Sequence, residues 1–544
     1  MLVHNNSSLD SAIAEWKAML GDRAVVRADE GDFGASTTGA KRAIPVVIKP
    51  DTCEQIPELL KIAAHHAVSV YTISTGHNWG YGSANPVKND SVLLDLSKLD
   101  QIVDFDEELG VVTVEPGVTQ EKLRRFLDER DAHYLVPVTG AGPHCSILGN
   151  ALERGYGITP ITDHFAAVTR IEAVLADGRI YRTPLSELGG PEVDGLYKWG
   201  IGPYLDGLFT QGNFGVVTRI TLALAPAPET LTAFFFSTKD DKLLEKLVPT
   251  VREVLRALTG NVVAINLMNR QRMLSMMAPF PETQAVDGVL PAEVVDALAE
   301  KYSVTAWNGV GAIYASRDVA KAARRTLRRL LGPVTDRLVF VNARKVALAQ
   351  NVARLVPGKL STRIRSLADA LAGALDIMNG RPNDVALALA YWRSGHKPEP
   401  GVAKDPARDG CGLIWFAPLV PIRGKDARRY VEIIERVCPE YGINPLITLT
   451  TLNDRCFDST VPLLFDRNDP IATDRANACY RALFAACSKE GFLPYRLNVD
   501  SMDLLPDKES VFSSLTQQLK IAVDPGQILS PGRYVAVTSD RSPV

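Results

Sequence analysis

The feature that most restricts the fold is a glycine-rich loop that follows a strand-like run near the N-terminus. Val68–Ile73 alternates as a strand and opens into Ser74–Ser83, which contains three glycines and begins with two small hydroxyl residues. Such a loop turns backbone N–H groups toward one point, where an anion can satisfy them and no Cβ blocks its approach. It matches neither the G-x-G-x-x-G pattern nor the lysine-containing phosphate loop. The loop therefore predicts a phosphate cradle of another kind, with a plain glycine-rich turn as the alternative.

A second glycine-rich region favours the cradle. Pro137–Gly157 shows almost no regular periodicity and contains Thr139–Gly142, Leu148–Asn150 and Gly155–Gly157. A stretch of this length without a pattern is typical of a binding loop. Two uncharged glycine loops without a lysine suit a long diphosphate ligand that is held by backbone donors.

Length and composition exclude several classes of protein. The 544 residues exceed one compact domain, and 60 Lys+Arg against 63 Asp+Glu give a formal net charge of −3, without the basic surplus of a nucleic-acid binder. The apolar stretches, such as Val216–Ala227, are shorter than the roughly 20 residues of a membrane span. No basic segment followed by an apolar one opens the chain, which predicts a cytoplasmic protein and leaves the periplasm open.

Cysteines and histidines give no sign of a disulfide framework or a metal site. The seven cysteines are irregularly spaced and form no C-x-x-C pair, which predicts reduced, mostly buried thiols. The eight histidines include no H-x-x-x-H spacing, so we expect no metal site built by the protein.

Seven segments of the chain, taken in order, share motifs with one known family. They are Thr75–Pro86, Glu115–Thr119, Leu148–His164, Gly202–Gly215, Trp415–Pro418, Tyr495-Arg496 and Asp524–Arg533. These segments resemble the FAD-binding flavoproteins of the vanillyl-alcohol oxidase / 4-cresol dehydrogenase family. The likeness runs nearly end to end and is weakest between about 240 and 400, where few motifs occur. Each motif is modest, but together, in register, they are specific.

The resemblance implies an α+β fold with FAD as the cofactor. A two-lobed FAD-binding domain would comprise residues 1–227 and the returning segment 488–544, and an inserted α+β cap over the flavin would comprise 228–487. The composition shift after Pro226-Ala227-Pro228 agrees with a boundary near 227. The implied FAD contacts are Ser74, Thr75, Gly76, His77, Asn78, Tyr81, Pro116, Thr139, Gly140, Leu148, Gly149, Asn150, Arg154, Gly155, Gly157, Gly215, Val216, Val217 and Arg533.

The resemblance also implies a reaction. In this family a para-substituted phenol binds as phenolate, hydride leaves the benzylic carbon for flavin N5, and the p-quinone methide takes up water. Tyr81, Tyr495 and Arg496 match the phenolate-binding positions, and the physics fits, because two phenol O–H groups and a guanidinium stabilise a negative oxygen. A Tyr in a glycine loop can also be only a packing ring.

The sequence departs from the family at the covalent link to FAD. The family's cap Tyr or His aligns near Asp405 or Leu413, which cannot form the link, and Tyr391 and His396 lie out of register. His77 stands where related enzymes have Arg, and a Gly-His in this loop can bind flavin covalently in the wider superfamily. We therefore expect FAD to be noncovalent or joined to His77.

Two neutral residues replace charged groups that the family uses. Thr139 falls where the vanillyl enzyme has a catalytic Asp, and Thr448 falls where the cresol enzyme has a Glu. Thr139 cannot act as a base at neutral pH, so water addition needs another group. Glu399 lies within about two residues of the family's acidic cap residue and, with Thr448, is a candidate for the substrate pocket.

The partners follow from the same likeness. We expect a small phenolic substrate, O₂ or a separate cytochrome c as electron acceptor, and a homodimer or higher oligomer. Any haem would lie on another chain, because no C-x-x-C-H motif occurs here. Two alternatives remain: a flavoprotein of the same fold that oxidises an α-hydroxy acid, sugar or lactone, and a non-catalytic FAD-binding subunit.

A substrate preference follows from the neutral pocket residues Thr139 and Thr448. We expect a phenol with a three-carbon side chain, such as eugenol, to be turned over faster than 4-cresol, because a less polar pocket suits the larger side chain. Steady-state turnover of both phenols tests this, and equal or faster turnover of 4-cresol would contradict it.

Overall fold

The computed structural model describes residues 6–28, 33–355, 359–394, 398, 401–506 and 509–537. The strands are β1 (Val25–Arg27), β2 (Val46–Ile48), β3 (Val70–Ile73), β4 (Val92–Asp95), β5 (Ile102–Asp106), β6 (Val111–Val114), β7 (Tyr134–Leu135), β8 (Val168–Val174), β9 (Ile180–Tyr181), β10 (Val216–Ala223), β11 (Ala225–Pro226), β12 (Thr230–Thr238), β13 (Ile265–Asn269), β14 (Trp307–Ala315), β15 (Arg337–Val341), β16 (Cys411–Phe416), β17 (Leu419–Pro421), β18 (Thr448–Thr451) and β19 (Cys456–Asp466). The helices are α1 (Asn6–Leu20), α2 (Ile56–His65), α3 (Gln120–Glu129), α4 (Ile147–Leu152), α5 (Pro184–Glu187), α6 (Pro191–Asp194), α7 (Leu244–Ala257), α8 (Arg270–Met277), α9 (Ala292–Tyr302), α10 (Arg317–Leu331), α11 (Ala343–Leu355), α12 (Lys359–Met378), α13 (Gly424–Glu440), α14 (Pro470–Lys489) and α15 (Val511–Val523).

The first lobe is built on the four-stranded sheet β1-β2-β4-β3. Strands β2, β4 and β3 run parallel, and β1 pairs antiparallel with β2. Buried Trp16 of α1 and Leu60 of α2 belong to the apolar core of this lobe. Since parallel strands end at the same edge, the glycine loop that leaves β3 lies at the carboxyl edge of the sheet.

The second lobe is the five-stranded antiparallel sheet β5-β6-β10-β8-β9. Its core includes Leu123 and Leu127 of α3 and Leu148 and Ala151 of α4. The burial of α4 against this core fixes where the second glycine-rich region lies.

The cap sheet has the order β15-β12-β14-β13-β18-β19-β16, and β17 also pairs with β19. On one face, Ile265, Leu267 and Leu449 form a core with side chains of α7, α10, α13 and α14. Because side chains alternate along a strand, Asn266 and Thr448 point to the opposite face. That face is directed toward the FAD-binding lobes, as the contacts of the site show below.

The strand predicted at Val68–Ile73 is present as β3, Val70–Ile73, whereas Pro137–Gly157 differs from its prediction. It was expected to lack regular structure and contains α4. The hydroxyl of Ser146 caps this helix by accepting a hydrogen bond from the Gly149 N–H at 2.9 Å. Tertiary burial of Ile147 and Leu148 stabilises a helix of six residues, too short to show a periodicity.

The C-terminal segment returns to the first lobe. Val70 of β3 donates to the Ile528 carbonyl at 2.8 Å, and Ser530 donates to the Val70 carbonyl at 2.7 Å. A buried ion pair holds the turn that makes this return possible: Lys520 Nζ lies 2.6 Å from Asp524, and both side chains are almost fully buried.

The remaining features agree with the composition. All seven cysteines are free, and six of them are buried, as predicted for most of them. Within the ranges that the structure describes, no helix has the length and apolar character to cross a membrane.

The division into 1–227, 228–487 and 488–544 is our proposal. It is supported by the sheet memberships, because strands up to β10 belong to the lobes and β12, which begins the cap sheet, starts at Thr230. It is also supported by the contacts of residues 528–530 with β3.

The Lys520–Asp524 pair yields a stability prediction. Asp524 accepts from Lys520 and from the N–H groups of Ile528 and Leu529, so Asp524→Asn leaves a buried ammonium without its counter-charge. We expect a loss of about 3–5 kcal/mol in unfolding free energy, measured by calorimetry of the holoprotein. The control Asp503→Asn breaks an exposed pair with Arg481 and should cost at most about 1 kcal/mol. Equal losses in the two variants would contradict the role of the buried pair.

Candidate active site

The first glycine loop presents a row of backbone donors. Among the described residues, no hydrogen bond is donated by the backbone N–H groups of residues 75–78. Gly76 has a φ of +72°, a left-handed conformation that glycine adopts without strain. The second half of the loop is anchored by the Gly80 N–H, which donates to Thr37 Oγ1 at 2.7 Å. The N–H groups of residues 75–78 can therefore serve as the donors of an anion cradle.

Ser146 joins the two glycine regions. Its N–H donates to Thr75 Oγ1 at 3.2 Å, and its hydroxyl donates to the Pro116 carbonyl at 2.6 Å. A Cβ on Gly149 would lie 2.4 Å from Ser74 Oγ, so only glycine lets α4 approach the first loop this closely. Ser146 thus joins Thr75, Pro116 and Gly149, three predicted FAD contacts from separate motifs. Ser146 itself was not among the predicted site residues.

The Gly155–Gly157 segment packs around a buried histidine. His164 Nδ1 lies 2.6 Å from Asn150 Oδ1, and Nε2 has no partner among the described residues. A Cβ on Gly157 would lie 2.9 Å from that Nε2 atom, and one on Gly155 would clash with the Asn150 amide. Burial lowers the pKa of His164 to about 4, so its ring is neutral at physiological pH.

Thr139 is fixed by a side chain from α3. Gln120 Nε2 donates to Thr139 Oγ1 at 3.0 Å, and the Thr139 N–H donates to Gln120 Oε1 at 3.1 Å. The next residue, Gly140, would bring a Cβ within 3.1 Å of Ala386 in the cap. The Thr139 loop therefore lies where the lobes and the cap meet.

The other predicted cofactor contacts differ in their surroundings. Gly215, Val216 and Val217 are at the start of β10 beside β8, and Arg533 is buried. Arg154 is exposed and donates from Nε and Nη2 to Thr210 Oγ1 at 3.1 Å. The FAD contact of Arg154 remains a prediction.

Glu153 links two predicted site arginines. Its carboxylate accepts from Arg533 Nη2 at 2.5 Å and from Arg496 Nη2 at 3.3 Å. Burial tends to raise the pKa of Glu153, but the charges of Arg533 and Arg496 outweigh burial and lower it. The carboxylate thus stays ionised and positions both guanidinium groups.

Tyr81, Tyr495 and Arg496 come together. The guanidinium carbon of Arg496 lies 3.9 Å from the centre of the Tyr81 ring, and Arg496 Nη2 donates to Asn78 at 2.7 Å. Main-chain bonds place this segment between cap and loop: the Tyr495 N–H donates to Ala417 at 3.3 Å, and the Val499 N–H donates to Tyr81 at 3.1 Å. Burial raises the pKa of both tyrosines, so their hydroxyls remain hydrogen-bond donors.

A buried carboxyl of the cap faces this cluster and was missed from the sequence. Asp458 of β19 is fully buried, accepts from the Tyr156 hydroxyl, and has a second oxygen without a partner among the described residues. The Tyr156 ring lies 6.3 Å from the Tyr495 ring. Burial raises the pKa of Asp458 to about 7, against the opposing effects of the Tyr156 hydrogen bond and the Arg496 charge. No sequence motif marks this aspartate.

Thr448 lies on the same face of the cap sheet as Asp458. The sheet pairs Thr450 with Asp458, and Thr448 is two residues from Thr450 on one strand. Thr448 Oγ1 is buried and has no partner among the described residues. The other substrate-pocket candidate, Glu399, and the possible link residue His396 lie outside the described residues.

His77 does not act as a free loop residue. Its ring stacks on Trp79 at 4.7 Å, and its pKa is lowered, chiefly by burial. Trp79 Nε1 donates to Ala141 at 3.0 Å, which fixes the stack against the Thr139 loop. Tyr391 is engaged elsewhere, since its hydroxyl donates to Asp409 at 2.6 Å.

The residues present fit a flavin dinucleotide. The N–H groups of residues 75–78 suit a diphosphate. At Gly149 and Gly157 the chain is packed so closely that a Cβ would clash with neighbouring atoms. Buried polar atoms without partners among the described residues occur in the same region, as expected where a polar ligand completes the site. They are His164 Nε2, Arg496 Nε, Arg533 Nη1, Thr448 Oγ1 and Asp458 Oδ1.

Comparisons with known proteins agree with this assignment. A family model described as an FAD binding domain matches residues 44–184. The chain is 35% identical to 1'-carboxy-chondrochloren decarboxylase of Chondromyces crocatus, over 97% of this chain and 98% of that protein. It is 28% identical to the flavoprotein subunit of 4-cresol dehydrogenase of Pseudomonas putida, over 96% and 95% of the two chains.

The fold agrees as well. A crystal structure of p-cresol methylhydroxylase with substrate bound superposes with a TM-score of 0.86 and 27% identity over 99% of both chains. Fold, glycine cradle and relatives define an FAD-dependent oxidoreductase. The chain belongs to the vanillyl-alcohol oxidase / 4-cresol dehydrogenase family of flavoproteins, as the sequence motifs predicted.

The raised pKa of Asp458 yields a pH-dependent prediction. The folded chain keeps a proton on Asp458 up to about pH 7, whereas the unfolded chain releases it near 3.8, so the residue costs stability progressively between these pH values. Asp458→Asn removes that cost and should stabilise the holoprotein by roughly 1–3 kcal/mol at pH 8 and much less at pH 4.5, as measured by Tm. The control is Asp454→Asn, at a partly exposed carboxylate whose pKa is lowered by its hydrogen bond to Arg256, and it should give no such gain at pH 8. A constant difference between pH 4.5 and pH 8 for Asp458→Asn would contradict the assignment.

Proposed function

We propose that the protein oxidises para-substituted phenols, such as eugenol-like compounds or 4-alkylphenols. The observation that carries this proposal is the cluster of Tyr81, Tyr495 and Arg496, in which two phenol donors and a guanidinium lie close together. A phenolate oxygen matches these donors, and its negative charge assists the departure of hydride from the benzylic carbon.

The glycine loops would hold FAD, which would supply the hydride acceptor. The residues of the chain hold the substrate for that step. Asn78 and Glu153 hold the Arg496 guanidinium by hydrogen bonds. We infer that Thr448 and Asp458, which share one face of the cap sheet, line the same pocket. The product of hydride loss is a p-quinone methide, and Asp458 is the ionisable group that could accept a proton from an added water.

The cofactor contacts and partners complete the proposal. We infer that the two glycine loops hold FAD without a covalent bond, because Asp405 and Leu413 stand at the family's link positions and cannot form it. A bond to His77 is the alternative. The electron acceptor is O₂ or a separate cytochrome c, and the cresol dehydrogenase relative, which is named a flavoprotein subunit, supports a second component. We also propose a cytoplasmic homodimer or higher oligomer.

A second candidate function is oxidation with loss of CO₂. It is favoured by the 35% identical relative, whose name specifies a carboxy compound and a decarboxylation. Thr139 and Thr448 are both neutral, so neither can activate a water molecule to attack the quinone methide. A quinone methide that is not attacked by water can lose CO₂ instead. In a phenol with a carboxylate on the second side-chain carbon, the C–C bond to the carboxylate breaks. Its electron pair forms the side-chain double bond and restores the phenolate, and CO₂ leaves.

Anaerobic mixing with phenols tests the proposed function. Eugenol or a 4-alkylphenol should bleach the flavin absorbance, and D-lactate should not. Tyr495→Phe should slow the bleaching roughly 100-fold, because one oxyanion donor is lost. Tyr480→Phe is the matched control, since Tyr480 is buried in the cap core and its hydroxyl has no partner among the described residues.

The outcomes separate the candidates. Bleaching by D-lactate and not by phenols would contradict the proposal and favour oxidation of a hydroxy acid. Release of CO₂ with a vinylphenol product from 3-(4-hydroxyphenyl)propanoate would select the second candidate, and a hydroxylated product would select the first.

A further inference from the structure

One arginine of the cap carries a charge that no described residue neutralises. Arg272, on the first turn of α8, forms no ion pair within the described part of the chain. Its one side-chain hydrogen bond there is long, 3.4 Å from Nη1 to Ser275 Oγ. Two other arginines of the cap do form ion pairs: Arg270 with Asp296, and Arg393 with Glu282 at 3.2 Å.

The surroundings of Arg272 make this lack of a counter-charge costly. Its Nε is inaccessible and has no partner among the described residues, and the residue as a whole is only partly exposed. Burial lowers its pKa to about 10, and no neighbouring charge offsets that effect. A buried cation without an anion is unfavourable. An anionic group of a ligand that contacts this guanidinium would remove that cost.

Hydrogen bonds place Arg272 beside the substrate-pocket strand. Asn269 Oδ1 accepts from the Arg272 N–H at 2.9 Å and from the Ile447 N–H at 3.1 Å. The residue after Ile447 is Thr448, and Met268 pairs with Thr448 in the sheet. One amide oxygen thus joins the first turn of α8 to the start of β18.

The polar atoms around this junction also lack partners. Among the described residues, Asn266 Oδ1, Gln271 Oε1, Thr448 Oγ1 and Asp458 Oδ1 are buried without one. Asn266 and Asp458 both pair with Thr450, from opposite sides, so they share the face that looks toward Tyr156. A concentration of such atoms next to an unpaired guanidinium indicates a polar ligand group at this end of the pocket.

We propose that Arg272 binds a carboxylate at the far end of the para side chain of the substrate, so that the substrate class is 4-hydroxyphenyl compounds with an anionic side chain. The proposal rests on the proposed function, because the phenol end is assigned to Tyr81, Tyr495 and Arg496. A guanidinium matches a carboxylate with two parallel hydrogen bonds. A single arginine neutralises one negative charge, which suits a carboxylate better than a phosphate dianion.

Binding of a matched ligand pair tests the proposal. The probes are 3-(4-hydroxyphenyl)propanoate and its methyl ester, which differ in the charge at Arg272. Equilibrium binding to the FAD-loaded protein is followed by calorimetry and by the change in flavin absorbance. We expect the wild type to bind the acid roughly 10- to 100-fold more tightly than the ester. In Arg272→Met this preference disappears, whereas Arg272→Lys retains most of it.

Controls make the outcome specific. Arg270→Met removes the neighbouring arginine on the same helix and should leave the acid preference unchanged. Unchanged ester affinity in Arg272→Met shows that the pocket is intact. Equal affinity of the wild type for acid and ester overturns the proposal. It is also overturned if Arg272→Met lowers the affinity for acid and ester equally and Arg272→Lys shows no preference for the acid. If both probes bind with the expected preference and neither bleaches the flavin, the proposed function fails and the carboxylate site stands.

Discussion

The carboxylate of Glu153 is the interaction on which the site depends. It follows α4 in the second glycine-rich region and holds Arg496 and Arg533, which arrive from the C-terminal segment. Arg496 and Arg533 are buried and Glu153 is partly buried. Such charges are stable only when each is paired, since removing one partner leaves an uncompensated charge. The fold therefore has to bring the glycine region and the returning chain together before Arg496 can contact the Tyr81 ring.

The two faces of the cap sheet have different roles. One face is an apolar core that gives the sheet its stability. The other carries Thr448 and Asp458, buried polar groups that are unfavourable for folding unless a ligand completes them. Direct contacts fasten this face to the lobes: the Tyr156 hydroxyl donates to Asp458, and the Tyr314 hydroxyl donates to the Ile158 carbonyl at 2.9 Å. The site is thus formed between two separately built layers.

Much of the site was accessible from the sequence because it lies in short, contiguous motifs. The glycine loop after β3 and the Tyr495-Arg496 pair are such motifs, and the structure places them together. Asp458 and Tyr156 were missed as a pair, because 302 residues separate them. Arg272 was missed because only its neighbours in the folded chain show that its charge is unpaired. Helix α4 was missed because burial, and not periodicity, stabilises it.

Short motifs were enough to identify the family and the FAD cofactor and to predict the cradle, since local backbone chemistry decides where glycine and small hydroxyl residues can turn N–H groups toward an anion. Which charges meet and which remain unpaired follows from the folded chain alone. Glu153 reaches Arg496 and Arg533 across 343 and 380 residues, and Arg272 reaches no carboxylate within the described chain. The effect of a charge depends on its solvation and its neighbours, and folding sets both of them.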